Sequence, residues 1–492
     1  MIWEKNREKT DIIMILADDQ GPLGDALRRD TGALYAQPGQ NCRTGMRFDS
    51  FFCASPVCSP ARASILTGKM PSAHGVQDWL RSGNLDGEKF AAQGKENPYF
   101  EGYKQERKPI SYLEGQPTYT DILAQNGYHC ALSGKWHLGN SIEPQQGFQE
   151  WYTIGMGGCC YYHPDMVEHG EITVHHGEYV TDLITDRALE YLKELGEGDD
   201  PFYLSVHYTA PHSPWEKEHH PAKWIDYYDG CTFPSIPNVP DHPDLRTGAV
   251  YGTGKREENL RGYFAAVSAM DEQVGRLLDA LEEKHLTEDT IVIFSADNGM
   301  SMGQHGIWGK GNGTFPMNMY DSAVKVPFLI SWPCHIAPGS VCCEIVSAYD
   351  LFPTLLELTG LSDRFPEGLP GKSFSSLLTG GEQERTGEIV VFDEYGPVRM
   401  IRNREWKYIH RYPYGTHELY HLTDDPGETE NLFGLPEYEA KVLELKKQME
   451  TWFLKYADPA IDGVREGVTG SGQLCRPGLY AVRTDVYGPV GT

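Results

Sequence analysis

The chain lacks long hydrophobic runs. Nowhere in its 492 residues does an apolar stretch approach the roughly 18–20 residues that cross a bilayer, so no membrane-spanning helix is expected. The opening Met1-Ile2-Trp3-Glu4-Lys5 has no apolar core of the secretory kind, and a cytoplasmic location is the expectation. Paired C-x-x-C units are missing among eleven scattered cysteines, which sets aside the common structural zinc spacings. An odd count with adjacent pairs at Cys159-Cys160 and Cys342-Cys343 reads as reduced thiols. No internal repeat is visible, which argues against solenoids and propellers. Positive charge is scarce: 43 Lys and Arg stand against 70 Asp and Glu, a formal net charge of −27. Such a field repels nucleic acid and anionic membrane surfaces. An anionic substrate would have to be met by cations gathered locally.

What is present is ordinary for a large enzyme, with 40% hydrophobic and 23% charged residues and length enough for more than one domain. Residues 11–17 (Asp-Ile-Ile-Met-Ile-Leu-Ala) form a short apolar run ending in Asp18-Asp19, the pattern of a buried parallel strand with polar groups at its carboxyl end. Residues 289–296 repeat the design and end in Asp297-Asn298-Gly299. Residues 201–208 and 326–332 are further strand candidates, and 260–284 carries apolar residues at helical spacing. Alternating strands and helices predict a mostly parallel α/β sheet with sites at the strand ends. Residues 84–117 are polar and read as a surface insertion. The stretch 163–176 reads as a polar loop whose four histidines (His163, His169, His175, His176) are solvated rather than metal ligands.

A Gly-, Ser- and Thr-rich stretch at 371–387 predicts a boundary, dividing the chain into residues 1–375 and a smaller α+β unit of residues 376–492. In that unit 389–394 and 405–410 read as antiparallel strands, 437–456 as an amphipathic helix, and 459–492 as a glycine-rich tail that wraps over the body or a neighbouring subunit.

The densest signal is Cys58-Ser59-Pro60-Ala61-Arg62 followed by Leu66-Thr67-Gly68-Lys69. Free cysteines are often simply buried, and a phosphatase-type loop would need an arginine six residues on, where Ser64 stands. Asp18, Asp19, Asp297 and Asn298 are hard oxygen donors, suited to Ca²⁺ or Mg²⁺ rather than zinc. One Asp-Asp pair alone would read as a turn; two strand ends of this kind together favour a metal site. Gly134-Lys135-Trp136-His137-Leu138-Gly139, Ala210-Pro211-His212-Ser213-Pro214 and Gly303-Gln304-His305-Gly306-Ile307-Trp308-Gly309-Lys310-Gly311 supply cations and histidines.

Together these motifs resemble the formylglycine-dependent sulfatases, and 319–327, 350–355, Leu419-Tyr420 and 424–428 resemble further core segments of that family. The resemblance implies an alkaline-phosphatase-like α/β/α sandwich, with residues 1–375 as catalytic domain and a smaller C-terminal α+β domain. It implies that a maturation enzyme oxidises Cys58 to formylglycine, whose hydrate is the nucleophile. One divalent ion, Ca²⁺ before Mg²⁺, would be held by Asp18, Asp19, Asp297, Asn298 and residue 58. Arg62 would anchor the diol and a metal-ligating aspartate. Lys135 and Lys310 would bind sulfate oxygens, His212 would protonate the leaving alcohol, and His137 would take the proton of the second hydroxyl. His305 would be structural.

The implied activity is sulfuric ester hydrolysis on a small organic sulfate, a sulfated mono- or oligosaccharide. Asp78, Trp79, Arg81, His163 and Trp215 are candidates for the sugar subsite. The alternative is a phosphonate monoester or phosphodiester hydrolase using the same diol, but such relatives typically place histidine where Asn298 stands. A third reading is a silent anion-binding relative whose Cys58 is never oxidised. Lys69 departs from the family's arginine, keeping the charge but not the planar fork.

Overall fold

Strand β1 (Asp11–Ala17) is buried along its whole length, as a central strand covered on both faces must be. The computed structural model describes residues 10–22, 45–93, 106–380, 391–478, 481 and 485–489. Around β1 lie β2 (Met46–Phe52), β3 (His129–Gly134), β4 (Glu150–Ile154), β5 (Asp165–Glu168), β6 (Glu171–Val174), β7 (Phe202–His207), β8 (Thr290–Ala296), β9 (Lys325–Ser331) and β10 (Ser340–Ser347). They form one ten-stranded sheet in the order β10-β2-β9-β8-β1-β7-β3-β4-β5-β6. The central run β8-β1-β7-β3-β4 is parallel throughout, whereas β9 runs against both its neighbours and β5-β6 is an edge hairpin.

Register explains why the polar strand ends converge. Ala17 pairs with Ala296, Leu16 with His207, and Gly134 with His207. The carboxyl ends of β8, β1, β7 and β3 therefore stop at one level, and the residues after them share one edge.

Helices α1 (Cys58–Thr67), α2 (Tyr119–Gln125) and α5 (Leu351–Leu358) pack together in one layer, and α3 (Val180–Glu197) with α4 (Lys255–Glu283) in another. Their apolar faces and the sheet make one core that includes Ile12, Leu132, Val206, Val274 and Ile293. Burying each such side chain contributes roughly 1.5–3 kcal/mol. A second, antiparallel sheet of β11 (Val391–Tyr395), β12 (Val398–Arg402), β13 (Trp406–Arg411) and β14 (Glu418–His421) carries α6 (Glu439–Tyr456). Helix α6 buries Leu445, Met449 and Phe453, one stripe at i, i+4, i+8.

Two expectations need correction. The segment 84–117 is not a surface insertion in its described parts, because Asn84, Leu85, Glu106, Tyr112 and Leu113 are buried. Glu106 accepts hydrogen bonds from the main chain of Gly83 and Asn84 and from the Asn84 amide; polarity there marks an internal network rather than solvent. Residues 94–105 lie outside the described residues. The stretch 163–176 is largely the β5-β6 hairpin rather than a loop, with Asp165, Met166 and Val167 buried. The expected boundary at 371–387 falls partly on residues 381–390, which also lie outside the described residues.

Candidate active site

Asp18 and Asp19 follow β1, Asp297 and Asn298 follow β8, and all four are buried. One carboxylate oxygen from each of Asp18, Asp19 and Asp297 lies within 4.8 Å of the others. Asp19 adopts φ 63°, a left-handed conformation uncommon for a residue with a Cβ. Its N–H donates to Asp297 Oδ1 at 3.2 Å, and Asn298 Nδ2 donates to Asp19 Oδ1 at 2.9 Å.

Three buried carboxylates repel one another unless cations answer them. Lys135 Nζ pairs with Asp18 Oδ2, Lys310 Nζ with Asp19 Oδ1 at 2.5 Å, and Arg62 Nε with Asp297 Oδ2 at 2.9 Å. Burial pushes all three acids upward. No single cation outweighs burial, but Lys135, His212 and Lys310 together do for Asp18, and Lys310, His212 and Lys135 together do for Asp19, so both lie below the ordinary carboxylate range. Asp297 stays above that range, because burial and the charge of Asp18 outweigh Arg62. Asp18 Oδ1 and Asn298 Oδ1 are buried acceptors with no hydrogen-bond donor. Orphaned acceptors beside three carboxylates, all of them oxygen, fit a hard divalent cation.

Cys58 is the first residue of α1, where helix N–H groups leave the end partly positive. Its Sγ lies 3.5 Å from Lys310 Nζ, which bridges it to Asp19. Burial pushes the thiol up against the pull of Lys135 and Lys310. Arg62 stands one turn further along the helix, on the same face. Its Nη1 donates to the Lys135 carbonyl at 3.0 Å, so one guanidinium ties α1 to both β8 and β3.

The two histidines are set up differently. His212 Nδ1 faces the Ser213 carbonyl at 2.7 Å and Nε2 lies 3.6 Å from Asp19 Oδ2. His137, with φ 53°, faces only the Leu80 carbonyl, from Nε2 at 3.1 Å. A carbonyl can only accept, so Nε2 bears the proton and the buried Nδ1, without a partner, carries the lone pair. Burial and then Lys135 hold His137 well below the usual imidazole value, as a neutral base. Gly157 packs against that ring so closely that a Cβ there would lie 2.1 Å from His137 Cε1.

Direct contacts thus bring together Asp18, Asp19, Asp297, Asn298, Cys58, Arg62, Lys135, Lys310 and His212, while His137 joins through Leu80. Lys69 is not among them: it lies beyond the far end of α1, and its Nζ donates to Gln116 Oε1 at 2.5 Å. Asp78 is buried beneath Tyr395, whose hydroxyl donates to it at 2.6 Å, and Trp215 donates to the Pro211 carbonyl. Asp78 is fully buried and does not line a sugar subsite, whereas the Trp215 ring is only partly buried. His163 faces His176 at 3.4 Å, and His305 stacks on Tyr320 with ring centres 3.8 Å apart. His207, at the end of β7, was missed. Its Nδ1 contacts the Lys135 carbonyl at 3.1 Å and Arg62 Nη1 at 3.5 Å. Burial and Arg62 lower its pKa to about 3, so the ring stays neutral, donates from Nδ1 to the Lys135 carbonyl and lies beside Arg62 without charge repulsion. Gln473 was also missed. It accepts from Gln77 N at 2.8 Å and Asp78 N at 3.3 Å, and donates to Gly75 and Cys475 carbonyls. It thereby holds the stretch that presents Leu80 to His137.

An α/β/α sandwich whose strand ends gather oxygen donors, lysines and a cysteine at the first position of a helix has the architecture of the alkaline-phosphatase-like fold. Residues 10–361 match the sulfatase family, and residues 303–454 match the C-terminal region of N-sulphoglucosamine sulphohydrolase. The chain belongs to the sulfatase family and is a sulfuric ester hydrolase. It is 27% identical to an N-acetylglucosamine-6-O-sulfatase of Bacteroides thetaiotaomicron, over 92% of this chain and 88% of that one. It is 29% identical to a choline-sulfatase of Rhizobium meliloti, over 78% and 75%. A solved structure of a protein in complex with its substrate D-glucosamine-2-N,6-O-disulfate superposes with a TM-score of 0.75 at 25% identity, covering 92% of this chain and 99% of that one. Among the described residues no helix is long and apolar enough to cross a membrane.

Proposed function

We propose that this sulfatase releases inorganic sulfate from a small sulfated carbohydrate, using formylglycine made from Cys58. The observation that carries the reading is Cys58 at the start of a buried helix, with Lys310 bridging it to Asp19. Relatives named for N-acetylglucosamine sulfate and glucosamine disulfate support the carbohydrate class. Formylglycine at position 58, once hydrated, would supply one hydroxyl as nucleophile toward sulfur and a second as the group whose deprotonation releases sulfate. A divalent ion, Ca²⁺ before Mg²⁺, would be held by Asp18, Asp19, Asp297, Asn298 and residue 58, and supplies Lewis-acid charge stabilisation when bound.

The chain's own groups do the rest. Lys135 and Lys310 hold the ester's anionic oxygens and balance charge gathered in the transition state, usually the main source of rate enhancement in such a transfer. Arg62 fixes Asp297 and the turn of Lys135, so both keep their places as charge moves. His212 Nε2 gives its proton to the departing alcohol oxygen. His137 Nδ1 takes the proton of the second hydroxyl, its tautomer set by the Leu80 carbonyl. Water is consumed, and alcohol and sulfate leave.

The test is sulfate release from aryl and sugar sulfates by matured enzyme and by Cys58→Ala, with mass spectrometry of the Cys58 peptide. Release from a sugar sulfate, reduced about a thousandfold or more in the variant, is expected. Full activity with an unmodified Cys58 would sink the formylglycine reading. Faster turnover of phosphonate or phosphodiester substrates would replace the sulfate ester with the alternative.

A further inference from the structure

Residues 469–473 of the tail pass between the two segments that present His137's partner and Lys310. On one side, Trp79 Nε1 donates to Gly470 O at 3.2 Å, Gln473 N to Trp79 O at 2.7 Å, and Arg81 Nη1 to Ser471 O at 3.4 Å. Leu80, between Trp79 and Arg81, is the residue whose carbonyl holds His137. On the other side, Asn312, two residues past Lys310, reaches Gly470 O at 3.4 Å. Arg246 N donates to Gly313 O at 2.9 Å, and its guanidinium donates to Thr469 O at 2.9 Å and Ser471 Oγ at 3.0 Å. The tail approaches so closely that only glycine fits at 472. Its φ is +100°, and a Cβ there would lie 2.9 Å from Arg81 Cβ and 3.0 Å from the Trp79 ring.

This wall is chemically unusual for a chain with net charge −27. Two half-buried arginines and a half-buried tryptophan meet the tail next to Leu80, whose carbonyl holds His137. Arg246 is held by a carbonyl, a hydroxyl and the Phe315 ring at 5.7 Å, none of which carries a charge. Hydrogen bonds to the main chain fix the guanidinium in place without neutralising it. The remaining N–H groups of such a fork suit a planar or tetrahedral oxyanion. Trp79 adds an apolar face of the kind sugar rings stack on.

We propose that Arg246, Arg81 and Trp79 form a second anion subsite, so that the preferred substrate is a sulfated sugar bearing a further oxyanion, a carboxylate or a second sulfate. This rests on the sulfatase reading above and narrows its substrate class. The test compares kcat/KM of matured enzyme on four probes: an aryl sulfate, a neutral-sugar monosulfate, a uronate-bearing monosulfate and a disulfated sugar. At least one dianionic sugar should exceed the neutral one by about tenfold or more, and which one does so names the group. Arg246→Gln and Arg81→Gln should each shrink that ratio, and Arg246→Lys should keep most of it. Because the ratio is taken within each variant, loss of folded enzyme cancels. A ratio near one in the wild type, with aryl sulfate turned over, overturns the subsite alone. A large ratio that survives both glutamine variants also overturns it. No release from any probe overturns the proposed function and the subsite with it.

Discussion

Two buried ion clusters in this chain look alike in composition and differ in one respect that separates support from chemistry. At the junction of the two sheets, Asp321 Oδ1 accepts from Lys407 at 2.9 Å and Arg402 Nε at 3.3 Å, and Oδ2 accepts from Arg402 Nη2 at 3.1 Å. Glu428 Oε2 accepts from Asp321 N at 2.7 Å, while Oε1 accepts from Lys407. Every carboxylate oxygen is used. Neighbouring Asp393, whose oxygens have no partner, is pushed far above the carboxylate range by burial and so adds no charge. The cluster at the strand ends also balances three acids with three cations, yet it leaves Asp18 Oδ1, Asn298 Oδ1 and His137 Nδ1 without partners. Charge balance does not distinguish the two; unused acceptors on the paired groups themselves do, since those at the junction sit only on the neighbouring Asp393, whose raised pKa leaves it uncharged. Those at the strand ends cost stability where they stand, and they are the atoms that can bind something else.

The sharpest way to break the comparison is to remove one cation from each cluster. Lys407→Ala leaves Glu428 without its cation and Asp321 with Arg402 alone, and should cost about 3–5 kcal/mol of unfolding free energy, measured by denaturant titration, with kcat of the folded fraction retained. A loss below about 1 kcal/mol, the scale of an exposed pair, would mean the junction cluster is not a support. Lys310→Ala should instead lower kcat about 10²–10³-fold, with a smaller stability change than Lys407→Ala. Equal stability losses in the two variants would erase the distinction.

A smaller effect tests how the tail is seated. Burial raises Asp78 to about 6, against the hydrogen bonds of Tyr395 and Gly472. The folded protein then keeps a proton that the unfolded chain releases near pH 4. Stability should therefore fall as pH rises from about 4 to about 6 and level off above, by a few kcal/mol at most. Asp78→Asn should flatten that stretch of a melting-temperature profile; an unchanged slope would locate the titration elsewhere. Smallest of all, Lys69→Arg should leave kcat within about twofold, because Lys69 touches Gln116 and not the cation cluster. A tenfold gain would reinstate it as a site residue.

Much of this was legible from local patterns. Residues 11–17 and 289–296 read as buried strands because apolar residues run through them almost without interruption, and both are strands. Helix 260–284 was readable from its 3.6-residue spacing, although α4 begins earlier, at Lys255. The hairpin within 163–176 was not, since short edge strands with one solvated face carry little apolar signal. His207 was invisible for another reason. A histidine at a strand end has no local mark that says it will lie beside an arginine from a helix 145 residues away in sequence.

The sequence by itself determined the central buried strands, the long helix and the inventory of cations, carboxylates and the motif cysteine, because periodicity and short motifs are local properties. Only the tertiary structure decided that four strands end at one level, that Lys69 stands apart, and that a tail from the far end of the chain holds the active-site wall. Gln473 reaches Gly75 across 398 residues. A hydrogen bond of that range leaves no local trace, because its partners meet only after the sheet and its second domain have packed.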